Sequence, residues 1–276
     1  MWMSCSEIGP YINFKPDIAD TNLVDTSYIA SQDVIALPKK VLISDFTGVR
    51  CPNCPKASLK IHEIDSIYPN RTVALAIHMF DNPLAMPYST DADYRTTAGT
   101  QIYNNLGKSL GLPSGGINQK KHPSETNILV NIDKWLTYTQ LELIETSPVN
   151  ITLSSKAVSG QNKTYIIQVK AEYSKSVSGA NYLSICLSES GMVSFQKLPT
   201  GEIDSFYKHK HVLRSMLTNP AGDLLFNSPE KNRVIIKEYK IVVSDKWKED
   251  KIEVIAYIHK SGLEFDVFQV EKTALK

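Results

Sequence analysis

Two cysteines with two residues between them are the strongest candidates for chemistry in this sequence. Cys51-Pro52-Asn53-Cys54 can form a disulfide that opens and closes, because a cysteine thiolate can attack the disulfide of a partner. The same spacing supplies half of a zinc site, but the sequence has no second C-x-x-C and no H-x3-H to complete the ligand set. A redox pair and a purely structural disulfide remain as the two main interpretations.

The residues on either side of the pair predict a strand followed by a helix. Residues 41–46 form a short, β-prone apolar run. The apolar face of the helix that follows is marked by Leu59, Ile61, Ile64 and Ile67. Free backbone N–H groups in the first turn of a helix stabilise a thiolate. With Pro52 at the first helical position, Cys51 is expected to be the reactive thiol and Cys54 the buried, resolving thiol.

The strand, the cysteine pair and the helix together resemble the thioredoxin-like family. Asp45 lies six positions before Cys51, where members of that family often carry an acidic residue. The resemblance implies that Asp45 is buried and moves protons to and from Cys54. Leu112-Pro113-Ser114 resembles the cis-proline loop that faces the disulfide in this fold, and a cis bond before proline costs only about 0.5–1 kcal/mol. The catalytic candidates are therefore Cys51, Cys54, Asp45 and Pro113, and no cofactor is expected.

Longer stretches resemble a narrower group, the twenty-eight-kilodalton outer-membrane lipoprotein family of the Bacteroides group of bacteria. The resemblance is carried by VLISDFTGVRCPNCP, LGLPSGGIN and HKHVLRSMLTNPAGD and spans roughly residues 38 to 276. It implies an α/β thioredoxin-like domain followed by an all-β, immunoglobulin-like sandwich domain in the cell envelope.

The pattern of apolar and polar residues divides the chain into three parts. Residues 1–33 are expected to be an N-terminal tether, residues 34–146 the thioredoxin-like domain, and residues 147–276 the β-sandwich domain. A near-continuous apolar run at 72–80 is typical of a strand covered on both faces. Residues 165–173 instead alternate between apolar and polar side chains, which indicates a half-buried strand. Lys260-Ser261-Gly262 is predicted to be the turn of a later hairpin.

Composition limits the classes of partner. The chain has 276 residues and a formal net charge of +1, so it exerts no long-range attraction on nucleic acid or on an anionic membrane. No run of 18 apolar residues occurs, so no transmembrane helix is predicted. Four cysteines are too few for a scaffold held together by disulfides. The expected partners are proteins that carry thiols or disulfides, of unknown identity.

A third cysteine near the start of the sequence suggests a lipid anchor. Met3-Ser4-Cys5 places a small residue before a cysteine, which resembles the end of a bacterial lipoprotein signal. In this interpretation Cys5 carries the lipid and attaches the protein to the outer membrane or holds it in the periplasm. The alternative is an unmodified cysteine in a terminal segment.

Four other residues are weaker candidates. His78, at the end of a core strand, is expected to make an ordinary hydrogen bond, with a chemical role as the less favoured alternative. His209 and His211 would face the same side of one strand, a spacing that metals can use. No acidic or thiol ligand lies in that stretch, so no metal site is expected. Cys186 is expected to be a free, half-buried thiol.

Two hypotheses about function follow. In the first, the protein exchanges thiols and disulfides through Cys51 and Cys54. Pro52 makes the pair similar to the Cys-Pro-x-Cys of disulfide-bond oxidases and glutaredoxins, which implies an oxidising couple. In the second, the protein is a non-enzymatic binding lipoprotein of the cell surface, in which the thioredoxin-like domain is a scaffold and the disulfide is structural.

Overall fold

The computed structural model of the protein describes residues 23–89, 91–109, 111–260 and 264–276. Within these ranges most of the regular structure is β-strand. The strands are β1 Asp25–Ile29, β2 Val41–Phe46, β3 Thr72–Ile77, β4 Ser114–Ile117, β5 Val149–Ala157, β6 Thr164–Tyr173, β7 Ala180–Glu189, β8 Met192–Lys197, β9 Ile203–His209, β10 Val212–Met216, β11 Asp223–Asn227, β12 Arg233–Val242, β13 Ile252–Lys260 and β14 Val267–Ala274. The α-helices are α1 Cys54–Ile67, α2 Thr97–Asn105 and α3 Trp135–Leu143. None of the helices in the described ranges has the length and apolar composition that a membrane span needs.

The cysteine pair is positioned by a strand–helix–strand unit. β2 and β3 pair in parallel, α1 connects them, and β4 pairs antiparallel with the other edge of β2. Every residue of β2 and β3 is buried, because helices and neighbouring strands cover both faces of the sheet. The sequence predictions of a strand over residues 41–46 and of a helix after the cysteine pair are confirmed.

Strands from the second half of the chain complete this sheet. β10 pairs in parallel with the free edge of β3, at Val212 and Ala76, and continues through β7, β13 and β14. The result is one eight-stranded sheet with members from both sides of residue 147. This pairing covers a sheet edge that would otherwise expose unpaired N–H and C=O groups. The division into domains at residue 147 stays a prediction, and strand pairing crosses it.

A second, four-stranded sheet packs against the later part of the first. Its order is β1-β12-β6-β5, and the core between the two layers includes Val149, Ile167, Leu183 and Ile258. Burial along β6 follows the period of two that the sequence predicted. β13 and β14 pair antiparallel, as expected of the predicted hairpin, although the turn itself at residues 261–263 lies outside the described ranges.

The first strand of this layer corrects the prediction of a tether over residues 1–33. Asp25–Ile29 forms β1, which pairs antiparallel with β12 along all five residues. Its side chains are all exposed, so the segment shows no apolar alternation that sequence analysis could detect. Backbone hydrogen bonds to an existing sheet edge hold it in place.

The strands β8 and β9 form a separate two-stranded sheet. This hairpin, residues 192–209, leaves the eight-stranded sheet after β7 and returns to it at β10. Because β10 lies beside β3, the hairpin lies at the end of the sheet where β2 is followed by the cysteine pair.

A tight contact between Gly115 and Trp135 provides a test of the packing. A Cβ on Gly115 would lie 2.4 Å from Cζ2 of Trp135, a fully buried side chain whose indole N–H donates to the Val130 carbonyl. We expect Gly115→Ala to lower the free energy of unfolding by about 1–3 kcal/mol, since the indole has to move. Gly116→Ala is the matched control, because the nearest atom to its Cβ lies at an ordinary 3.6 Å. Equal urea midpoints for the two variants would contradict this account of the packing.

Candidate functional site

The two cysteines form a disulfide at the start of α1. Cys51 and Cys54 are bonded through their sulfurs, and their Cα atoms lie 5.4 Å apart. The helix begins at Cys54, with Asn53 before it, so the expectation that Pro52 occupies the first helical position is wrong. A turn in which the Cys54 N–H donates to the Cys51 carbonyl precedes the helix instead. Pro55 lies in the first helical turn, where its missing N–H leaves no intrahelical bond unmade.

Both cysteines are buried, including the one expected to react. Cys51 is 0% exposed and Cys54 is 2% exposed. The hairpin β8–β9 covers them. The Gln196 side-chain amide donates to the carbonyls of Gly48 and Cys51, at 3.3 and 3.1 Å, and the Lys197 N–H donates to the Val49 carbonyl at 2.8 Å. In this conformation no thiol in solution reaches the disulfide.

The other side of the hairpin is held by the loop after β3. The Asp91 carboxylate accepts from the Ser194 hydroxyl at 2.5 Å and from the Phe195 N–H at 2.9 Å. The same loop also binds Arg50, whose guanidinium donates to the carbonyls of two of its residues and lies 4.7 Å from the centre of the Tyr88 ring. The positive charge of Arg50 is therefore directed to this loop.

Asp45 is buried near the disulfide, and one of its carboxyl oxygens has no partner among the described residues. It is 2% exposed, and within the described residues its Oδ1 makes no hydrogen bond. Burial raises the pKa of Asp45 to about 8, because water no longer stabilises the carboxylate. Asp45 lies beside Ala76, which in turn lies beside Val212 across the sheet.

One small cavity connects this acid with the cysteine pair. Its wall includes polar groups from both halves of the chain: Asp45, Cys54, Ser58, His78, Gln196, Tyr207, His209 and Lys210. Sequence analysis identified the first two as site residues but did not connect them with Gln196, Tyr207 or His209. These residues share only their position in the fold, and that position is known only once β10 is placed beside β3.

Two histidines in this wall have a buried nitrogen that no described residue bonds. His78 is 2% exposed, and the unbonded atom is its Nδ1; the ordinary hydrogen bond expected of this residue stays a prediction. His209 is 5% exposed and its Nε2 is likewise without a bond in the described structure. Burial lowers the pKa of His78 to about 3 and that of His209 to about 4, since the low dielectric disfavours the imidazolium.

His211 does not share a strand face with His209. β9 ends at His209, and His211 has a φ of 57°, in the left-handed region, so the chain has already turned. Across the described ranges, no group of three or more His, Cys, Asp or Glu side chains is arranged to hold a metal ion.

The remaining predicted residues are placed as follows. The Leu112–Pro113 peptide bond is cis, and Ser114 pairs with Phe46, so Pro113 lies at the same end of β2 as the cysteine loop. Cys186 is free but fully buried, which corrects the expectation of a half-buried thiol; burial raises its pKa to about 12. Cys5 lies outside the described residues.

Comparison with known proteins assigns the family. A sequence profile of the family described as outer membrane protein Omp28 matches residues 100–276, more than half of the chain. The chain belongs to this family, whose name implies a location in the outer membrane or cell envelope. This bears out the family resemblance in the sequence. No curated protein matches the chain.

Two solved structures share the fold. One is HBP35 of Porphyromonas gingivalis, with a TM-score of 0.64 and 18% identity, which covers 87% of this chain and 76% of that one. The other is a protein of Agrobacterium tumefaciens, with a TM-score of 0.51 and 14% identity, over 87% of this chain and 96% of that one. At such identities the similarity is one of fold alone.

The raised pKa of Asp45 predicts how stability depends on pH. Between its ordinary pKa of 3.8 and about 8, the folded chain holds a proton that the unfolded chain has released. The contribution of Asp45 to the free energy of unfolding therefore falls as pH rises through this window, by at most about 1.4 kcal/mol per pH unit. Asp45→Asn should remove that slope, so the variant should gain stability relative to the wild type between about pH 5 and pH 8.

Urea unfolding of the oxidised wild type and of Asp45→Asn over this range measures the effect. The buried histidines have lowered pKa values and impose the opposite slope below about pH 6.5, but they are present in both proteins and cancel in the difference. Parallel stability curves would show that Asp45 ionises normally.

Proposed function

We propose that the protein is a thiol–disulfide exchange protein of the cell envelope, with a thioredoxin-like unit built from β2, α1, β3 and β4. The strand–helix–strand connection, the cysteine pair at the start of α1 and the cis bond before Pro113 support this fold assignment. The observation that carries the function is the cavity between Asp45 and Cys54. A buried acid with an unbonded oxygen lowers the stability of the fold, and a purely structural disulfide does not require one.

The chemistry follows from these positions. A partner thiolate attacks Sγ of Cys51 and forms a mixed disulfide, while the bond to Cys54 breaks and Cys54 leaves as a thiolate. The Asp45 carboxyl gives its proton to Cys54 and becomes a carboxylate. A second thiolate of the partner then attacks the partner sulfur of the mixed disulfide and releases the Cys51 thiolate. Two partner thiols are oxidised to a disulfide, and the cysteine pair is reduced.

The raised pKa of Asp45 suits this role. At neutral pH the carboxyl is protonated, so it is ready to act as a general acid at the moment Cys54 leaves. In the reverse direction, the carboxylate takes the proton from the Cys54 thiol before Cys54 attacks Cys51. A single group thus serves both directions of exchange.

Exchange also requires the hairpin β8–β9 to move. The attacking sulfur has to reach Cys51, which is 0% exposed in the closed conformation. Three hydrogen bonds connect Gln196 and Lys197 to residues 48–51, and each contributes about 1 kcal/mol. These bonds are weak enough to break when a partner binds and strong enough to keep the disulfide covered in its absence.

The second candidate function is that of a binding lipoprotein with a structural disulfide. The complete burial of Cys51 and Cys54 favours it, since inert disulfides are typically inaccessible. The two functions differ in the reduction potential of the pair and in whether the hairpin limits its reaction.

Membrane attachment through a lipid on Cys5 is part of the proposal. It is supported by the Ser4-Cys5 pattern and by membership in a family of outer-membrane proteins. Firm attachment needs more than one acyl chain, because a single chain gives only marginal, reversible binding.

The potential of the pair tests the redox function. We expect equilibration with glutathione to give a value above the roughly −270 mV of thioredoxin, since the first turn of α1 stabilises the reduced thiolate. A Cys54→Ala variant should retain partner proteins in mixed disulfides, whereas Cys51→Ser should retain none. A potential below about −300 mV, together with no captured partner, would favour the structural disulfide.

The cover formed by the hairpin is tested separately. Gln196→Ala removes the bonds to Gly48 and Cys51, and we expect it to raise the rate of reduction by dithiothreitol about 30-fold, since the two bonds together contribute about 2 kcal/mol and each 1.4 kcal/mol is a factor of ten. Gln168→Ala is the control, because Gln168 lies on β6 in the other sheet and bonds Glu238. If both variants react at the wild-type rate, the hairpin does not limit access.

A further inference from the structure

Three buried polar atoms that no described residue bonds belong to side chains that line the same cavity. They are Oδ1 of Asp45, Nδ1 of His78 and Nε2 of His209, and each side chain is at least 95% buried. Buried polar atoms are nearly always hydrogen-bonded, either to protein or to water. A polar cavity with several such atoms offers a water molecule the two to four partners that it needs. The three side chains can therefore exchange hydrogen bonds, and protons, through the cavity.

The eight-stranded sheet places the Asp45 and His78 side chains along one face. Asp45 and Ala76 are register neighbours on parallel strands, and His78 lies two positions beyond Ala76, which is the same face. On the other side of Ala76 the chain of β9 and β10 approaches closely, with the Ala76 N–H donating to the His211 carbonyl at 2.7 Å. This contact carries His209 to the cavity from a part of the sequence more than 130 residues away.

Aromatic rings fix the two imidazoles. The Tyr94 ring lies between them, with its centre 5.5 Å from that of His78 and 4.9 Å from that of His209. The Tyr207 ring packs against His209 at 4.9 Å. These ring contacts pack both imidazoles against the residues around the cavity.

Both histidines are neutral despite the charges that surround them. Besides Asp45, Tyr207 and Lys210 in the cavity wall, the charged groups that face the pair are Asp91, Asp93, Asp204 and Arg214. Arg214 is paired with Glu189 at 3.3 Å. Burial outweighs all of them, so at neutral pH each imidazole has one N–H donor and one acceptor nitrogen. Such a ring can take up a proton at one nitrogen while it releases another proton from the other nitrogen.

We propose that His78 and His209 return to Asp45 the proton that Asp45 gives to Cys54, and so act as a buried proton relay for the cysteine pair. The inference deepens the proposed redox function and rests on it. Protons are balanced, because one proton enters the relay from solvent for each proton delivered to Cys54. The histidines touch neither sulfur in this mechanism and act through Asp45.

Variants of the two histidines test the relay. His78→Phe and His209→Phe remove the polar atoms but keep a ring, whereas His78→Gln and His209→Gln keep a hydrogen-bonding group that cannot pass a proton. His122→Phe is the matched control. His122 is also 2% exposed with an unbonded Nε2 in the described structure, but it stacks on Tyr138 and does not line this cavity.

Two measurements are made on each protein. Carboxyl-carbon NMR of the oxidised protein, assigned with Asp45→Asn, gives the titration midpoint of Asp45. We expect it to rise by at least about half a pH unit in both Phe variants, since the carboxylate loses its polar surroundings, and to return toward the wild-type value in the Gln variants. The rate at which oxidised glutathione reoxidises the reduced pair near neutral pH, a reaction in which Asp45 must first pass its own proton to the relay before it can accept the Cys54 proton, should fall about 10-fold in the Phe and Gln variants alike, and the control should match the wild type in both measurements.

The outcomes separate the two levels of the proposal. Recovery of both the midpoint and the rate in the Gln variants would assign a merely structural role to the histidines and overturn the relay. An unchanged Asp45 midpoint in the Phe variants would overturn it as well, whatever the redox behaviour of the pair. A potential in the structural range and the absence of captured partners would instead overturn the redox function, even if Asp45 titrates with the histidines.

Discussion

The pairing of β10 with the outer edge of β3 is the contact on which the site depends. It is narrow, with a single register pair between Val212 and Ala76 and a short bond from the Ala76 N–H to the His211 carbonyl. The hairpin β8–β9, which covers the disulfide, returns to the eight-stranded sheet at this contact. Without the pairing, the edge of β3 would be unpaired.

Burial of the site lowers stability, and the surrounding core offsets it. Asp45, His78 and His209 each keep a polar atom with no partner among the described residues, and each such atom costs about 1–3 kcal/mol if nothing bonds it. The eight-stranded sheet beside them includes Leu42, Phe46, Leu75 and Ile77 in its core, all fully buried. Departures from ideal packing of this kind are concentrated at functional sites and are tolerated where the adjoining core is well formed.

The sequence specifies the local elements better than the partners that they meet. The apolar run at residues 41–46, the helix after the cysteine pair and the alternation along β6 depend on nearest neighbours and are all readable from periodicity. Gln196 and Cys51 are 145 residues apart, and nothing in the pattern of β8 identifies what its buried face covers. The same limit hid β1, whose exposed residues pair with β12 mainly through the backbone. Periodicity shows which face is buried, but not which residue buries it.

The hydrogen bonds that close the hairpin have a consequence for how the site is controlled. Gln196 and Lys197 donate to main-chain carbonyls at residues 48, 49 and 51, not to sulfur. A carbonyl accepts equally well whether the neighbouring sulfurs are joined or separate. The cover therefore does not sense the oxidation state of the pair, and reduction alone does not release it. Molecules with thiols of equal reactivity would be distinguished by their ability to displace the hairpin, so selectivity would reside in a surface remote from the chemistry and could change without altering the potential.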